Sequence, residues 1–468
     1  MDLSRLDATA QAELVARGEL TCGDLLDAAE ARIRLLEPII HAIPTLDLWR
    51  ARRTAPVPGP FRGVPFLVKD VTAYPGLRWA MGTRLLRDNK QAIPTPFTSR
   101  VDAAGFAVIG KSASSEIGLL GSTETLAEGV THNPWDLSRS AAGSSGGAAA
   151  AVAAGLVPIA HANDGGGSIR IPASVCGLFG FKPSRGRTVT SILGTSDFAD
   201  MTSDGCVSRS VRDTARFLSL VEDTGRDAAH RRMGFVAEAA TRRLRIGAWA
   251  QTFDGREPEP EVRRAHDATV ALVRALGHEV VDATPPVLDA TALGDAFFIV
   301  AGAAVAGLIE VFGRMRGTPV GRDDLEPFTW ALADRYDARG PGALATAREV
   351  FAASARVHLD ATTGFDVVLT PVVATLPWLI GHLSPIVPAD ELIRRTAQAV
   401  GYTPIHNIAG TPAMSVPLHW STGGLPIGAQ FAAAPGADAT LLALAYELES
   451  AQPWGDRFPP FSCARLGA

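Results

Sequence analysis

Two clusters of glycine and serine carry the strongest chemical signal in this sequence. The first is Ala142-Gly-Ser-Ser-Gly-Gly147, and the second is Asn163-Asp-Gly-Gly-Gly-Ser168, followed by Ile-Arg-Ile-Pro. Consecutive glycines leave backbone N–H groups unshielded, so these groups can converge on a developing oxyanion. Ser168 stands directly after three glycines, and a nucleophile for acyl transfer is expected beside such donors.

These clusters are also compatible with a phosphate-binding loop, a nucleophile elbow or a pair of tight turns. A phosphate-binding loop requires G-x-x-x-x-G-K-[ST], and neither cluster is followed by lysine in that position. Residues 143–147 match the G-x-S-x-G elbow of α/β-hydrolases, which would make Ser145 the nucleophile. That elbow needs a hydrophobic strand before it, whereas residues 136–142 are polar and predict a loop. Tight turns with glycine at positive φ are the third interpretation, and glycine counts alone favour it.

A serine nucleophile also needs a base. His161 is close in sequence, but it falls at the end of an apparent buried strand, where a histidine that is part of the core is the commoner case. Lys69 follows the apolar run 64–68, and burial lowers the pKa of a lysine enough to make it a base. A solvated strand end is an equally common place for a lysine. Lys69 is the candidate that the pattern favours.

The elements around these residues alternate between short apolar runs and helical segments. This alternation predicts an α/β fold in which a β-sheet is covered by helices on both faces. The predicted strands are residues 64–68, 107–109, 156–160, 244–249 and 278–283, and the predicted helices include the alanine-rich stretch after Ser145 and residues 261–276. We expect one domain over residues 1–468, with N-terminal helices in about 1–45 and a variable substrate-pocket excursion at about 285–360.

Composition narrows the class of protein. Apolar residues make up 47% of the chain and charged residues 20%, as in an ordinary globular protein. The net charge of −5 gives no argument for binding nucleic acid or an anionic membrane. The polar start lacks a secretory signal, and the nearest candidate for a spanning helix, residues 148–162, is too short.

The cysteines and histidines give no sign of a metal site. The cysteines are scattered and read as reduced thiols, which predicts a cytoplasmic location; they are Cys22, Cys176, Cys206 and Cys463. No cluster of histidine and aspartate has the spacing of metal ligands. We therefore expect neither a metal nor another cofactor.

Taken in order, these motifs resemble the amidase signature family, over roughly residues 5–455. The matching segments are the two glycine–serine clusters, Gly63-Val-Pro-Phe-Leu-Val-Lys69-Asp70, Asn133-Pro-Trp, Gly177-Leu-Phe-Gly-Phe-Lys182-Pro183, Ser208-Arg-Ser-Val-Arg-Asp213, Asn407-Ile-Ala-Gly-Thr-Pro412, Gly424-Leu-Pro-Ile-Gly-Ala-Gln430 and Asp438-Ala-Thr-Leu-Leu442. Each segment is weak alone, but the ordered set is specific. The resemblance implies the amidase signature fold, which is built on a large mixed β-sheet.

The resemblance also implies a serine–serine–lysine amidase. Lys69 matches the lysine of the family, Ser144 the middle serine, which follows a cis peptide bond in the family, and Ser168 the nucleophile. Neutral Lys69 would accept a proton from Ser168 through Ser144, and Ser168 would form an acyl-enzyme. The expected oxyanion hole consists of the backbone N–H groups of Gly165, Gly166, Gly167 and Ser168. Ser145 and an ion pair between Asp164 and Arg170 are expected to hold the loop in shape.

Two features bear on the substrate, which we expect to be a small-molecule amide. The extra glycine before Ser168 resembles the branch of the family that contains 6-aminohexanoate cyclic dimer hydrolase. Aromatic residues also concentrate between residues 296 and 336, and some of them are expected to line an apolar pocket for a hydrophobic or lactam-like amide. They are Phe297, Phe298, Phe312, Phe328, Trp330 and Tyr336.

Other functions within the same family stay open at this point. The family includes the amide-releasing subunit of a glutamine-dependent amidotransferase, which works with partner subunits. A non-catalytic relative with a binding role is a second alternative, although an intact Lys69, Ser144 and Ser168 argue against it. An esterase is a third, and a homodimer is compatible with the family.

Overall fold

The computed structural model describes residues 2–54 and 57–467. Its strands are β1 (Thr45–Leu46), β2 (Pro65–Lys69), β3 (Ala107–Ser112), β4 (Glu124–Thr125), β5 (Gly129–Val130), β6 (His132–Asn133), β7 (Asp136–Ser140), β8 (Ile159–Asp164), β9 (Phe179–Lys182), β10 (Ser203–Ser208), β11 (Arg245–Ala248), β12 (Glu279–Asp282), β13 (Val367–Pro371), β14 (Ala413–Trp420) and β15 (Pro426–Ala433). Eleven strands form one mixed sheet in the order β1-β3-β2-β8-β10-β9-β14-β15-β13-β11-β12. The expected α/β fold with a large mixed sheet is confirmed.

The helices cover this sheet. They are α1 (Ala8–Ala16), α2 (Cys22–Ile40), α3 (Leu48–Arg53), α4 (Pro96–Ala103), α5 (Gly146–Ala153), α6 (Arg170–Cys176), α7 (Asp197–Asp200), α8 (Val211–Val221), α9 (Pro260–Ala275), α10 (Ala290–Arg316), α11 (Pro327–Arg339), α12 (Ala343–Thr362), α13 (Ala389–Val400), α14 (Pro404–Ile408), α15 (Asp438–Ala451) and α16 (Cys463–Leu466). Two short 3-10 helices are Leu3–Arg5 and Glu116–Gly118. Helices α1 and α2 fall in the predicted N-terminal region, and α10, α11 and α12 occupy the predicted excursion.

Two neighbouring strands, β2 and β8, position the centre of the site. They run parallel, with Phe66 opposite Ile159, so their carboxyl ends lie at the same edge of the sheet. Every residue of both strands is buried. Strand β8 begins later than predicted, at Ile159, because the N–H of Leu156 still donates to the carbonyl of Ala151 at the end of α5.

The polar segment before the first glycine–serine cluster is not a loop, and that prediction was wrong. Its residues form strand β7, which pairs antiparallel with β6 in a separate two-stranded sheet. The side chain of Asn133 accepts from the N–H of Trp135 at 3.0 Å and shapes the connecting turn. Strand β7 is polar and lies outside the main sheet, so it does not provide the hydrophobic strand that a nucleophile elbow at Ser145 requires.

Helix α10 is the most apolar long helix of the described residues. By length and composition it could cross a bilayer, with a mean hydropathy of 2.1 over its most apolar window. The sequence-based choice of residues 148–162 as the nearest candidate was therefore wrong. In the fold, α10 packs against α11 and α12, and its apolar side chains line a large cavity. In this fold the apolar side chains of α10 are therefore used in contacts with other helices and with the cavity.

Candidate active site

Lys69 ends strand β2 and is completely buried. Its Nζ lies 2.7 Å from Oγ of Ser144 and 2.7 Å from Oδ1 of Asn163. Ser144 belongs to the loop before α5, and Asn163 lies at the carboxyl end of β8. Because β2 and β8 are parallel neighbours, the lysine and the asparagine meet at one edge of the sheet.

Burial changes the acid–base behaviour of this lysine. Loss of hydration lowers the pKa of Lys69 to about 7, and the more distant carboxylates of Asp164 and Asp204 oppose that shift. Desolvation disfavours a charged amine more than these carboxylates stabilise it. A large fraction of Lys69 is therefore neutral near neutral pH, so its lone pair can accept a proton.

His161 lies behind Lys69 and belongs to the core, as the sequence favoured. Its Nδ1 accepts from the backbone N–H of Lys69 at 3.3 Å, so its Nε2 carries the proton and donates to Asp204 at 3.0 Å. Asp204 in turn accepts from the N–H and the hydroxyl of Ser191, both at 2.7 Å. The histidine thus joins the backbone of Lys69 to a loop that lines the cavity.

The loop that carries Ser144 is held by neighbouring backbone. The peptide bond between Gly143 and Ser144 is cis, as the family resemblance implied. The hydroxyl of the adjacent Ser145 is buried and donates to the carbonyl of Asn163 at 3.3 Å. Ser145 therefore faces the end of β8, whereas Ser144 and Ser168 both line the cavity.

Ser168 is partly exposed to this cavity. No direct hydrogen bond joins the hydroxyls of Ser144 and Ser168 within the described ranges. Catalytic hydrogen bonds are often long without substrate and shorten when substrate binds. The two serines are thus in one cavity, with Lys69 bound to the first of them.

The backbone of the glycine loop differs from the prediction at one residue. The N–H of Gly167 donates to Oδ1 of Asp164 at 2.7 Å, and Gly167 is absent from the cavity lining. This N–H group is therefore already satisfied by Asp164 and does not face the cavity as a free donor. The N–H groups of Gly165, Gly166 and Ser168 have no backbone or side-chain acceptor in residues 2–54 and 57–467, and these three residues line the cavity.

Asp164 and Arg170 form the expected ion pair. Arg170 approaches the two carboxylate oxygens with Nε and one terminal nitrogen, each at 2.9 Å, and both side chains are buried. This pairing holds the pKa of Asp164 well below its ordinary value, against the opposing effect of burial. The same arginine donates to Oδ1 of Asn407 at 2.7 Å, which ties the glycine loop to α14.

The cavity has a volume of about 1640 Å³, which exceeds the roughly 300–1,000 Å³ of common ligand pockets. Of the aromatic residues that the sequence singled out, Phe297, Phe298 and Phe312 line it. Phe328 lies in the core, 2% exposed, and the rings of Phe298 and Phe328 are 6.3 Å apart. Trp330 and Tyr336 are not part of the lining, so three of the six aromatic residues line the cavity, in agreement with the expectation that some of them would.

Other segments of the lining were not predicted. Phe198 of α7 contacts Phe297 edge-on, with ring centroids 6.2 Å apart. Ser191 and its neighbours, and residues of α13 and α14, also face the cavity. These segments are far from 285–360 in sequence and have no motif that marks them as part of a pocket. Asn163 was also missed as a partner of Lys69, since its side chain stood in a motif noted for its glycines.

A buried lysine beside a serine and a glycine loop, all at one edge of a mixed sheet, is an arrangement suited to nucleophilic acyl transfer. The sequence profile described as Amidase matches residues 31–442. The chain belongs to the amidase signature family, and it is an amide-cleaving hydrolase.

Relatives of this chain agree with that assignment. The 6-aminohexanoate-cyclic-dimer hydrolase of Paenarthrobacter ureafaciens is 37% identical, over 97% of this chain and 96% of the relative. A structure of 6-aminohexanoate cyclic dimer hydrolase with bound substrate has a TM-score of 0.90 and 33% identity, covering 98% of this chain and all of the other. A bacterial aryl acylamidase of the amidase signature family has a TM-score of 0.82 and 25% identity, with 96% of each chain covered.

Proposed function

We propose that this enzyme hydrolyses the C–N bond of a carboxamide through an acyl-enzyme on Ser168, with Ser144 as proton relay and Lys69 as base. The observation that carries the proposal is the 2.7 Å contact between Nζ of Lys69 and Oγ of Ser144. A buried neutral amine at that distance accepts the hydroxyl proton of Ser144. Ser144 can then take the proton of Ser168 as that oxygen attacks the amide carbonyl.

The backbone of the glycine loop stabilises the tetrahedral intermediate in this mechanism. The N–H groups of Gly165, Gly166 and Ser168 are the proposed donors to the oxyanion. When the C–N bond breaks, Lys69 returns its proton through Ser144 to the leaving amine. Water then repeats the sequence at the acyl-enzyme: it gives a proton to the same relay, and the carboxylic acid leaves as the Ser168 hydroxyl is restored.

The substrate that we propose is an apolar linear or cyclic amide. The cavity near the glycine loop presents the rings of Phe198, Phe297 and Phe298, which favour aliphatic or aromatic groups over small polar amides. The similarity to hydrolases of 6-aminohexanoate cyclic dimer supports a cyclic amide of this chemistry. A cytoplasmic location is part of the proposal and is supported by the free thiols of the chain.

Covalent labelling tests the nucleophile. A fluorophosphonate should add one label to the purified wild-type chain, and peptide mass mapping should place that label on Ser168. Ser168→Ala should abolish both labelling and turnover, whereas the matched control Ser145→Ala should keep the label. Labelling of Ser145, or unchanged turnover in Ser168→Ala, would contradict the mechanism.

A panel of substrates tests the proposed substrate preference and tests whether the chain acts without partner subunits. We expect a higher kcat/KM for hexanoyl p-nitroanilide and for a cyclic oligoamide than for acetamide, which is small and polar. The chain should act alone, because the amide-releasing component of an amidotransferase would need its partners for full activity. A likeness in fold to one component of the glutamyl-tRNA(Gln) amidotransferase from Thermotoga maritima, with a TM-score of 0.81 and 24% identity, makes this control necessary.

A further inference from the structure

We propose that Asn163 is a positioning residue that directs the lone pair of Lys69 toward Ser144. This inference rests on the proposed function, in which Lys69 is the base. Oδ1 of Asn163 lies 2.7 Å from Nζ of Lys69, and the carbonyl oxygen of the same residue lies 3.5 Å away. Asn163 is 6% exposed and lines the cavity beside both serines.

The hydrogen-bonding atoms around Lys69 fix the orientation of its amine. A neutral amine has two N–H bonds and one lone pair, and both oxygens of Asn163 can only accept. The two N–H bonds of Lys69 are therefore drawn toward Asn163. The lone pair is left facing the third neighbour, Oγ of Ser144, at 2.7 Å. Without the Asn163 amide, an N–H bond of Lys69 could point at Ser144 instead. In that orientation Lys69 could not accept the hydroxyl proton of Ser144.

The amide also has the right charge for this position. An asparagine holds the lysine with a neutral acceptor, whereas an aspartate of almost the same shape would place a carboxylate at the same 2.7 Å. An opposite charge at such a distance favours the ammonium form, which is no longer a base.

The fold keeps Asn163 in place independently of the lysine. The Ser145 hydroxyl donates to the Asn163 carbonyl at 3.3 Å, and Asn163 pairs with Asp204 in the register of β8 and β10. The backbone is thus fixed by the sheet and by the loop of Ser144. Substitution of the side chain should change the environment of Lys69 while most of these backbone contacts persist.

The test is the pH profile of Asn163→Asp with hexanoyl p-nitroanilide. The acid limb of kcat/KM should move upward by about 1–3 pH units, with activity restored at high pH. At neutral pH, kcat/KM should fall by about tenfold or more. Asn163→Ala should lower kcat by about tenfold at every pH without an upward shift of the limb. Gln251→Glu, which adds a carboxylate at an exposed position outside the cavity lining, is the control and should keep the wild-type limb.

The rate of fluorophosphonate labelling against pH provides a second readout that does not depend on turnover. The pH dependence of labelling should shift upward in Asn163→Asp as the acid limb does, and the labelling rate should fall in Asn163→Ala. If Asn163→Asp does not fold, the labelling rate of Asn163→Ala tests the role of Asn163. An active wild-type enzyme with an unchanged limb in Asn163→Asp, or wild-type labelling in Asn163→Ala, would overturn the role of Asn163 alone. A wild-type chain that is not labelled at Ser168 would instead overturn the proposed function.

Discussion

The ring of Phe297 lies directly over Gly166 of the glycine loop. A Cβ atom added to Gly166 would approach Cζ of that ring to 2.9 Å, which is closer than real side chains tolerate. Gly166 does not need a positive φ, since it is not among the residues with that conformation. Its small size, and not its backbone freedom, allows α10 to close over the proposed oxyanion donors.

Gly166→Ala should therefore push the ring and the loop apart. We expect kcat/KM to fall by about tenfold to a hundredfold, because small displacements of reacting groups are costly. Phe297→Ala removes the clashing ring, so the double variant should recover much of the loss. Steady-state kinetics of the three variants measure this, and full activity of Gly166→Ala alone would contradict the close packing.

The pH dependence of the wild-type enzyme should report Lys69. Its pKa of about 7 means that kcat/KM should rise about tenfold per pH unit below that value and level off above it. The sign follows because only the neutral amine accepts a proton. Lys69→Met should lower the plateau by about a thousandfold or more. A profile that falls with rising pH through neutrality would exclude a lysine base.

The ion pair of Asp164 and Arg170 should dominate the stability of the glycine loop. Asp164→Asn leaves the completely buried Arg170 with no charged partner in the pair, which should cost about 3–5 kcal/mol. The exposed pair of Arg263 and Asp267 offers a control, since Asp267→Asn should change stability by less than about 1 kcal/mol. Urea titration measures both. Equal effects of the two substitutions would argue against a structural role for the buried pair.

Two buried carboxyl groups should make stability depend on pH. Burial raises the pKa of Glu116 to about 7, and burial together with Glu116 raises that of Glu326 to about 8, while the guanidinium of Arg84 opposes both shifts. Below about pH 4.5 both groups are protonated in the folded and unfolded states. As pH rises from there to about 8, the unfolded chain releases protons that the folded state still holds. Stability should fall in that window by about 1.4 kcal/mol per pH unit for each extra proton held.

Glu326→Gln tests this linkage. The variant keeps an oxygen for the N–H of Leu126, which Glu326 accepts at 2.8 Å, and removes one titrating group. The slope of stability against pH between about 5 and 8 should become shallower. Glu310→Gln on the exposed face of α10 is the control and should leave the slope unchanged. An unaltered slope in Glu326→Gln would show that the carboxyl pair is not its source.

The sequence alone determined the fold class and the order of the elements around the site. Apolar runs predicted β2, β3 and β11, because a buried strand is apolar along most of its length. β12 was predicted as the strand that follows an amphipathic helix, and it is a partly exposed edge strand. Lys69 and Ser168 stood out in their local sequence, and Ser144 followed from the family resemblance. The structure places both serines at the cavity and the buried Lys69 in contact with Ser144. Such local signals survive in a sequence because each depends on a few adjacent residues.

Only the tertiary structure decided which partners each backbone and side-chain group contacts. Gly167 looked equivalent to its neighbours, yet its N–H is taken by Asp164. Asn163 looked like part of a turn, yet it contacts Lys69, which is 94 residues away. Phe198 joined the cavity wall from outside the predicted excursion. These relations depend on which strands become neighbours and on where each hydrogen bond is satisfied, and no spacing along the chain encodes either directly.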